Sequence, residues 1–307
     1  MEPVPGTLKS IIDDMIGSEK PLVNIKLADL SNVTSDELAY LTRNWPGVQV
    51  EQRRKIVSRL VELAEENFEL NFDSIFKFAL RDSDAEVRAK AIEGLWECEE
   101  PLLITYFIRM LNEDSSEAVQ AAAAKALRKY AMLAEIKKLG PSSSQRVSQA
   151  LIAILADRKK PLEVWRRALE AAAPLSLAEI KEAINYAYRQ TDTKLKNSAL
   201  YAMGRNCDSA WLPILIKELS NPNPETRYEA AGACGEICDE EAVPHLMRMV
   251  QDKDAEVQQA AILALGKIGG AKAEAFLQKC LKSSDEVISD TAKQAIKQIE
   301  AESDELF

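Results

Sequence analysis

The sequence predicts an all-α fold, a right-handed α-solenoid of about eight helical hairpins. Three observations predict it. Leu195, Thr226, Val257 and Ile288 recur at a spacing of 31 residues, each opening a similar stretch rich in alanine and other apolar side chains. A fixed period in this range marks a stacked repeat array. The composition is 47% hydrophobic and 29% charged with only 6% aromatic, and its many Ala, Leu, Glu and Lys residues are strong helix formers. No Pro/Gly/Ser-rich linker divides the 307 residues cleanly, so one continuous array accounts for a length beyond a single closed core.

Taken in order, residues 1–34 carry two early prolines and weak periodicity, which predicts an N-terminal segment that is partly ordered or capping. The array is expected over 35–299. Its first unit is degenerate: Glu51 to Ala64 places Ile56, Val57, Leu60 and Val61 on one face, but polar Gln52 falls where the first buried residue of a second helix would sit. From there that anchor position reads Val87, Val119, Val164, Leu195, Thr226, Val257 and Ile288. Eight residues further, two helical turns along the same face, come Leu95, Leu127, Ala172, Met203, Cys234, Leu265 and Ile296. Three residues before the anchor stand Asp84, Ser116, Asp192, Asn223, Asp254 and Asp285, all N-cap residue types, with Pro161 the exception.

The preceding helix of each hairpin is visible at Trp211 to Leu219, Val243 to Val250 and Ala275 to Leu281, with Pro213 and Pro244 in matching places. Gly204, Gly235 and Gly266 lie nine residues past their anchors, where a missing side chain permits close helix packing. One gap between anchors is 45 residues, and the excess lies near 131–146, including Gly140 to Ser144. Two readings stand open for this insertion, an extended helix with a turn or a feature lining the groove. Residues 300–307 are expected to form an acidic tail.

Asp84-Ala-Glu-Val-Arg-Ala-Lys-Ala-Ile-Glu-Gly-Leu and the run from Asp254 to Gly269 resemble the second-helix signature of HEAT repeats, of the short bacterial type related to the repeats of phycobilin lyases, and Val243-Pro-His-Leu resembles its first-helix start. The resemblance covers roughly residues 36–299. It implies an array of helical hairpins, and its Asp and Arg ladder positions map to Asp84 with Arg88 and Asn223 with Arg227. Gln120, Trp165, Lys196, Gln258 and Ser289 depart from arginine, so a continuous polar ladder is not implied. Lyase kinship implies a second functional reading, a tetrapyrrole-handling subunit.

The residues themselves point to binding rather than chemistry. Phosphate-cradling, zincin and nucleophile-elbow motifs have no match, and His245 is the single histidine; no catalytic residue, metal or cofactor is assigned. Cys234 and Cys238, four apart, read as packing residues, and the five cysteines, lacking CxxC spacing, read as buried reduced thiols. Asp239, Glu240 and Glu241 read as solvated charge in a turn. A net charge of −10 repels a phosphate backbone and makes nucleic acid an unfavoured ligand. The N-terminus lacks a basic region followed by an apolar one, and no apolar run spans a bilayer, so the expected location is the cytoplasm with no membrane contact.

Two sets of residues are candidates for a partner surface. Arg158, Lys159, Lys160, Trp165, Arg166 and Arg167 place five cations around an aromatic in an acidic chain, and could receive an acidic partner; the alternative is a solvated loop followed by a packed tryptophan. Positions two, six and nine past the anchors point away from the buried stripe and select Trp96, Arg128, Arg166, Tyr201, Tyr228 and Leu263 for the concave face. The function expected from the sequence is a non-catalytic scaffold that binds another protein or an extended peptide, acidic in character, along that face. A nucleic-acid-binding stack is the remaining, less favoured reading.

Overall fold

A computed structural model describes residue 11 and residues 27–304. Among these, sixteen α-helices and no strand occur. They follow one another as hairpins: α1 (Ser35–Asn44) with α2 (Val50–Glu66), α3 (Asp73–Ala79) with α4 (Ala85–Gly94), α5 (Leu102–Glu113) with α6 (Glu117–Glu135), and α7 (Pro141–Ala156) with α8 (Leu162–Ala172). Then come α9 (Ala178–Tyr188) with α10 (Thr193–Asn206), α11 (Leu212–Glu218) with α12 (Pro224–Ile237), α13 (Val243–Met249) with α14 (Ala255–Ile268), and α15 (Gly270–Cys280) with α16 (Glu286–Asp304). The chain is thus an all-α solenoid. By compactness it divides into residues 1–130 and residues 131–307, a division beside the expected insertion. No helix of the described residues is long and apolar enough to cross a membrane.

The expected N-terminal segment lies outside the described residues, apart from Ile11 and residues 27–34. These last include a short 3-10 turn, Leu27–Leu30, and Thr34. Thr34 closes a capping box with Glu37 at the start of α1, satisfying orphan donors at both positions. Residues 300–304 continue α16 rather than opening a tail, and 305–307 lie outside the described residues.

In residues 1–130 the degenerate unit is a full hairpin. Helix α2 buries Ile56, Val57, Leu60 and Val61 and packs on α4. Asp82, itself buried, accepts from the Trp45 indole at 2.6 Å and from Arg53 at 2.9 Å, so its charge is paired within the stack. Arg54 grips Asp84 at 2.6 and 2.9 Å and lowers its carboxyl pKa to about 2.

In residues 131–307 the second helices α10, α12, α14 and α16 pack side by side. The anchors Val164, Leu195, Thr226 and Val257 are buried, as are Val87 and Val119 before them. Ile288 and Ile296 on α16 are half-buried. Side chains of Asp84, Asp192, Asn223, Asp254 and Asp285 accept from backbone N–H groups two or three residues ahead, which fixes each helix start locally. The three periodic glycines explain the close packing: a Cβ on Gly204 would sit 2.7 Å from the Cα of Ala233, on Gly235 2.8 Å from that of Ala264, and on Gly266 2.8 Å from the Cβ of Ala295.

The long gap between anchors is helix lengthening rather than a separate feature. Helix α6 has 19 residues and α7 has 16, and Glu135 at the end of α6 accepts from the Ser176 backbone at 3.1 Å. The extended-helix reading is the one that the structure carries.

The ladder differs from the register that the resemblance implied. Arg88 does not pair with Asp84, nor Arg227 with Asn223. Each reaches forward to the next hairpin, Arg88 to Asp114 at 2.8 Å and Arg227 to Asp252 at 2.7 and 2.8 Å. The same arginines donate back to carbonyls of their own unit, Asp82 at 2.8 Å and Asn221 at 2.9 Å. Gln120 and Gln258 keep only that backward bond, to Asp114 and Asp252. An amide reaches the carbonyl but lacks the charge and the forked geometry for the carboxylate. Lys196 instead pairs with Glu218 at 3.0 Å.

Candidate functional site

The aromatic-basic cluster is divided: Arg158 and Lys159 are exposed, while Trp165 at its middle is buried. Trp165 is buried, its indole N–H donating to the Leu155 carbonyl at 3.1 Å and its ring meeting Tyr186 edge-on at 5.7 Å. Arg158 lies over the Tyr186 ring at 3.8 Å. Arg166 pairs with Glu163 at 2.6 Å and donates to Ser198 at 2.9 Å, while Arg167 pairs with Glu163 at 2.7 Å and Glu170 at 2.8 Å. The two arginines are therefore matched by two carboxylates one turn away on α8, an i,i+3 and i,i+4 arrangement visible in the sequence. Lys159 is exposed and Lys160 half-buried in the turn before α8.

The second candidate set fares differently: all six residues line grooves on the second-helix face. In residues 1–130, Trp96 and Arg128 line a groove of about 370 Å³ between α4 and α6. Its floor is apolar, from Ala89, Ile92, Ala122 and Ala126. Alanines at three of these places leave the space that longer side chains would fill. Trp96 is 54% exposed. Lys129 holds the backbone carbonyls of Leu95 and Trp96 at 3.2 and 3.1 Å, which fixes the end of α4 where the indole stands.

In residues 131–307, Tyr201, Tyr228 and Leu263 line a groove of about 460 Å³ over α10, α12 and α14. Tyr228 also borders a smaller one of about 250 Å³ with Arg166 and Lys194. Glu229 lines both. Burial and the neighbouring Glu170 carboxylate push its pKa up to about 7, against the opposing pull of Arg166. Further along, Glu236 is held between Arg205 at 2.6 Å and Lys267. Glu229 and the alanine floor carried no signal in the sequence: each is an ordinary helix residue until its neighbours are placed.

The cysteines and the acidic turn are structural. Cys234 is buried on α12, and burial pushes its thiol up to about 12. Cys238 lies past the helix end, exposed, with a φ of 56°, so the two do not share a helical face. Cys207 is likewise exposed, with a φ of 52°, and these two thiols depart from the expected burial. Asp239 caps the following turn through Glu241. Among the described residues no group of three or more His, Cys, Asp or Glu side chains is placed to hold a metal ion.

A family model for HEAT repeats matches residues 72–173, 180–253 and 212–297. No match is found among curated protein sequences. Among solved structures, the complex of CpcE and CpcF of phycocyanin lyase from Nostoc sp. PCC7120 is similar at 16% identity and a TM-score of 0.54, over 92% of this chain and 98% of that one. Kap95 is similar in its complex with Nup1, at 14% identity and a TM-score of 0.50 over 96% of this chain. In its complex with RanGDP the identity is 14% and the TM-score 0.51, over 95% of this chain. The chain spans 46% and 45% of Kap95 in these two structures. Likeness at such identity is a likeness of fold.

Proposed function

The chain belongs to the HEAT-repeat family, and from that premise we propose that it is a non-catalytic scaffold in the cytoplasm that holds another protein along the face of its second helices. The observation that carries this reading is the coincidence of period and shape. Six aromatic, arginine or leucine residues that stand two, six or nine past the buried anchors, Trp96, Arg128, Arg166, Tyr201, Tyr228 and Leu263, all line grooves on that face. Repeat arrays present extended surfaces of this kind, and tryptophan, tyrosine and arginine dominate binding energy where they meet a partner. Trp96 and Tyr228, 54% and 45% exposed, are the residues on which contact centres. A nucleic acid partner is disfavoured by the net charge of −10.

The test is affinity capture from the lysate of the source cell with the full chain, comparing wild type with a Trp96→Ala, Tyr228→Ala double variant of equal thermal stability. The reading expects at least one protein enriched by wild type and depleted by the variant. Identical recovery by both would move contact off this face. Mixing with bilin tetrapyrroles tests the lyase-like reading, which expects a shifted absorption band; an unchanged spectrum removes it.

A further inference from the structure

We infer that the groove between α4 and α6 is shaped and charged for an acidic segment of a partner protein that seats one large apolar side chain against Trp96. The inference rests on the scaffold reading and adds the chemistry of the partner at one place. Shape comes first. The groove's volume of about 370 Å³ lies within the range of about 300–1,000 Å³ typical of pockets that hold small ligands. Its floor of alanines offers apolar contact without hydrogen-bonding groups that would demand a polar guest. Trp45, Trp165 and Trp211 are all at most 6% exposed. Trp96 alone of the four tryptophans leaves its ring in solvent, beside this floor.

Charge selects the rest of the guest. Two carboxylates line the groove, and both are already matched, Glu86 by Arg54 at 3.1 Å and Glu93 by Lys90 at 2.6 Å. The remaining charged lining residues include Lys125 and Lys129, both cations. Lys125 is exposed and makes no ion pair among the described residues. The Lys129 ammonium donates to backbone carbonyls and makes no ion pair among the described residues. In a chain of net charge −10 this is a local reversal of sign. A basic guest would meet like charge on the open side of the groove, whereas an acidic one gains complementarity that is strongest at low ionic strength.

The experiment is selection from a random-peptide display library on the immobilised full chain, followed by affinity measurement on the enriched peptides. Tryptophan-free peptides allow the emission of Trp96 to report binding. The expected ligands place Asp and Glu around Leu or Phe, shift that emission, and bind more weakly as salt is added. Trp96→Ala and Lys125→Glu should each weaken them about tenfold or more, with Lys125→Gln between wild type and Lys125→Glu. Both positions are exposed, and unchanged melting curves confirm intact folding. Enrichment of basic or neutral peptides, or failure to enrich any, overturns the inference. Acidic ligands that ignore Trp96 and Lys125 but are lost on Tyr228→Ala overturn it while leaving the scaffold reading intact. If lysate capture also yields no partner, both fall together.

Discussion

Helix α12 contains a built-in comparison between what a helix prefers and what the stack demands. Gly232 and Gly235 lie three residues apart on it. A Cβ on Gly232 would meet nothing within 4 Å, whereas one on Gly235 would lie 2.8 Å from the Cα and 2.9 Å from the Cβ of Ala264. Glycine to alanine within a helix gains about 1 kcal/mol of propensity at either position. Only at Gly235 does the new methyl press on backbone of α14, which cannot rotate aside. Relief requires the two helices to part by several tenths of an ångström, and overpacking of this kind costs about 1–3 kcal/mol. Gly232→Ala should therefore raise stability by about 1 kcal/mol, and Gly235→Ala should fall below it by about 1–3 kcal/mol. Urea denaturation followed by circular dichroism, on both variants and wild type, gives the two differences directly. Equal stabilisation by the two substitutions would show that α12 and α14 do not need a bare backbone at their contact.

Three further outcomes are expected. Asp252→Ala leaves the buried Arg227 without its partner and should cost about 3–5 kcal/mol in urea denaturation; a loss under 1 kcal/mol would show the pair to be incidental. In the wild type, burial works to raise the Asp252 pKa, but the Arg227 hydrogen bonds outweigh it and hold the carboxyl below its ordinary value. The pair's contribution is therefore complete above the unfolded carboxylate pKa and fades as pH falls through the lower folded one, so the gap between wild type and variant should narrow in acid. Glu229 has the opposite sign. Its pKa of about 7 lies above the ordinary 4.5, so its folded form is favoured below the latter and penalised as pH rises through about 7. Glu229→Gln should thus melt higher than wild type at pH 8 and alike at pH 4; parallel profiles would remove the buried-carboxyl account. Cys207→Gly and Cys238→Gly, which place glycine at φ of 52° and 56°, should each gain about 1 kcal/mol by relieving left-handed strain, read as a rise in melting temperature; a fall would mean that the thiols' contacts to backbone carbonyls outweigh it.

What could be read from the sequence depended on how far apart the interacting residues lie along the chain. Caps such as Asp84, Asn223 and Asp254 act within three residues, and the anchors and glycines repeat at one register, so a periodic reading finds them. The groove-lining residues follow from helix geometry together with side-chain type: Trp96 and Arg128 stand nine past their anchors and line a groove, whereas Gly204, Gly235 and Gly266 at the same distance meet the next helix. The ladder was misregistered because its carboxylate lies 25 or 26 residues downstream, as between Arg227 and Asp252 or Arg88 and Asp114, in the next hairpin. The cluster at Arg166 and Arg167 reads as five cations until Glu163 and Glu170, one turn away, are counted with it. Whether Trp165 packs or faces a partner stays open in the sequence because Tyr186 and Arg158, which enclose it, belong to other elements.

The glutamines at the ladder register carry a consequence of their own. Gln258 still ties its side chain to the Asp252 carbonyl and so closes its own hairpin, but among the described residues it makes no bond forward to the hairpin of α15 and α16. Arg227, one unit earlier, does both. How well a hairpin is folded and how firmly it grips the next are thus set by separate halves of one side chain, and exchanging arginine for glutamine at that single place loosens a joint without weakening the parts it joins. Along a stack in which stability propagates between neighbours, the backward half of that side chain thus belongs to the hairpin and the forward half to the joint.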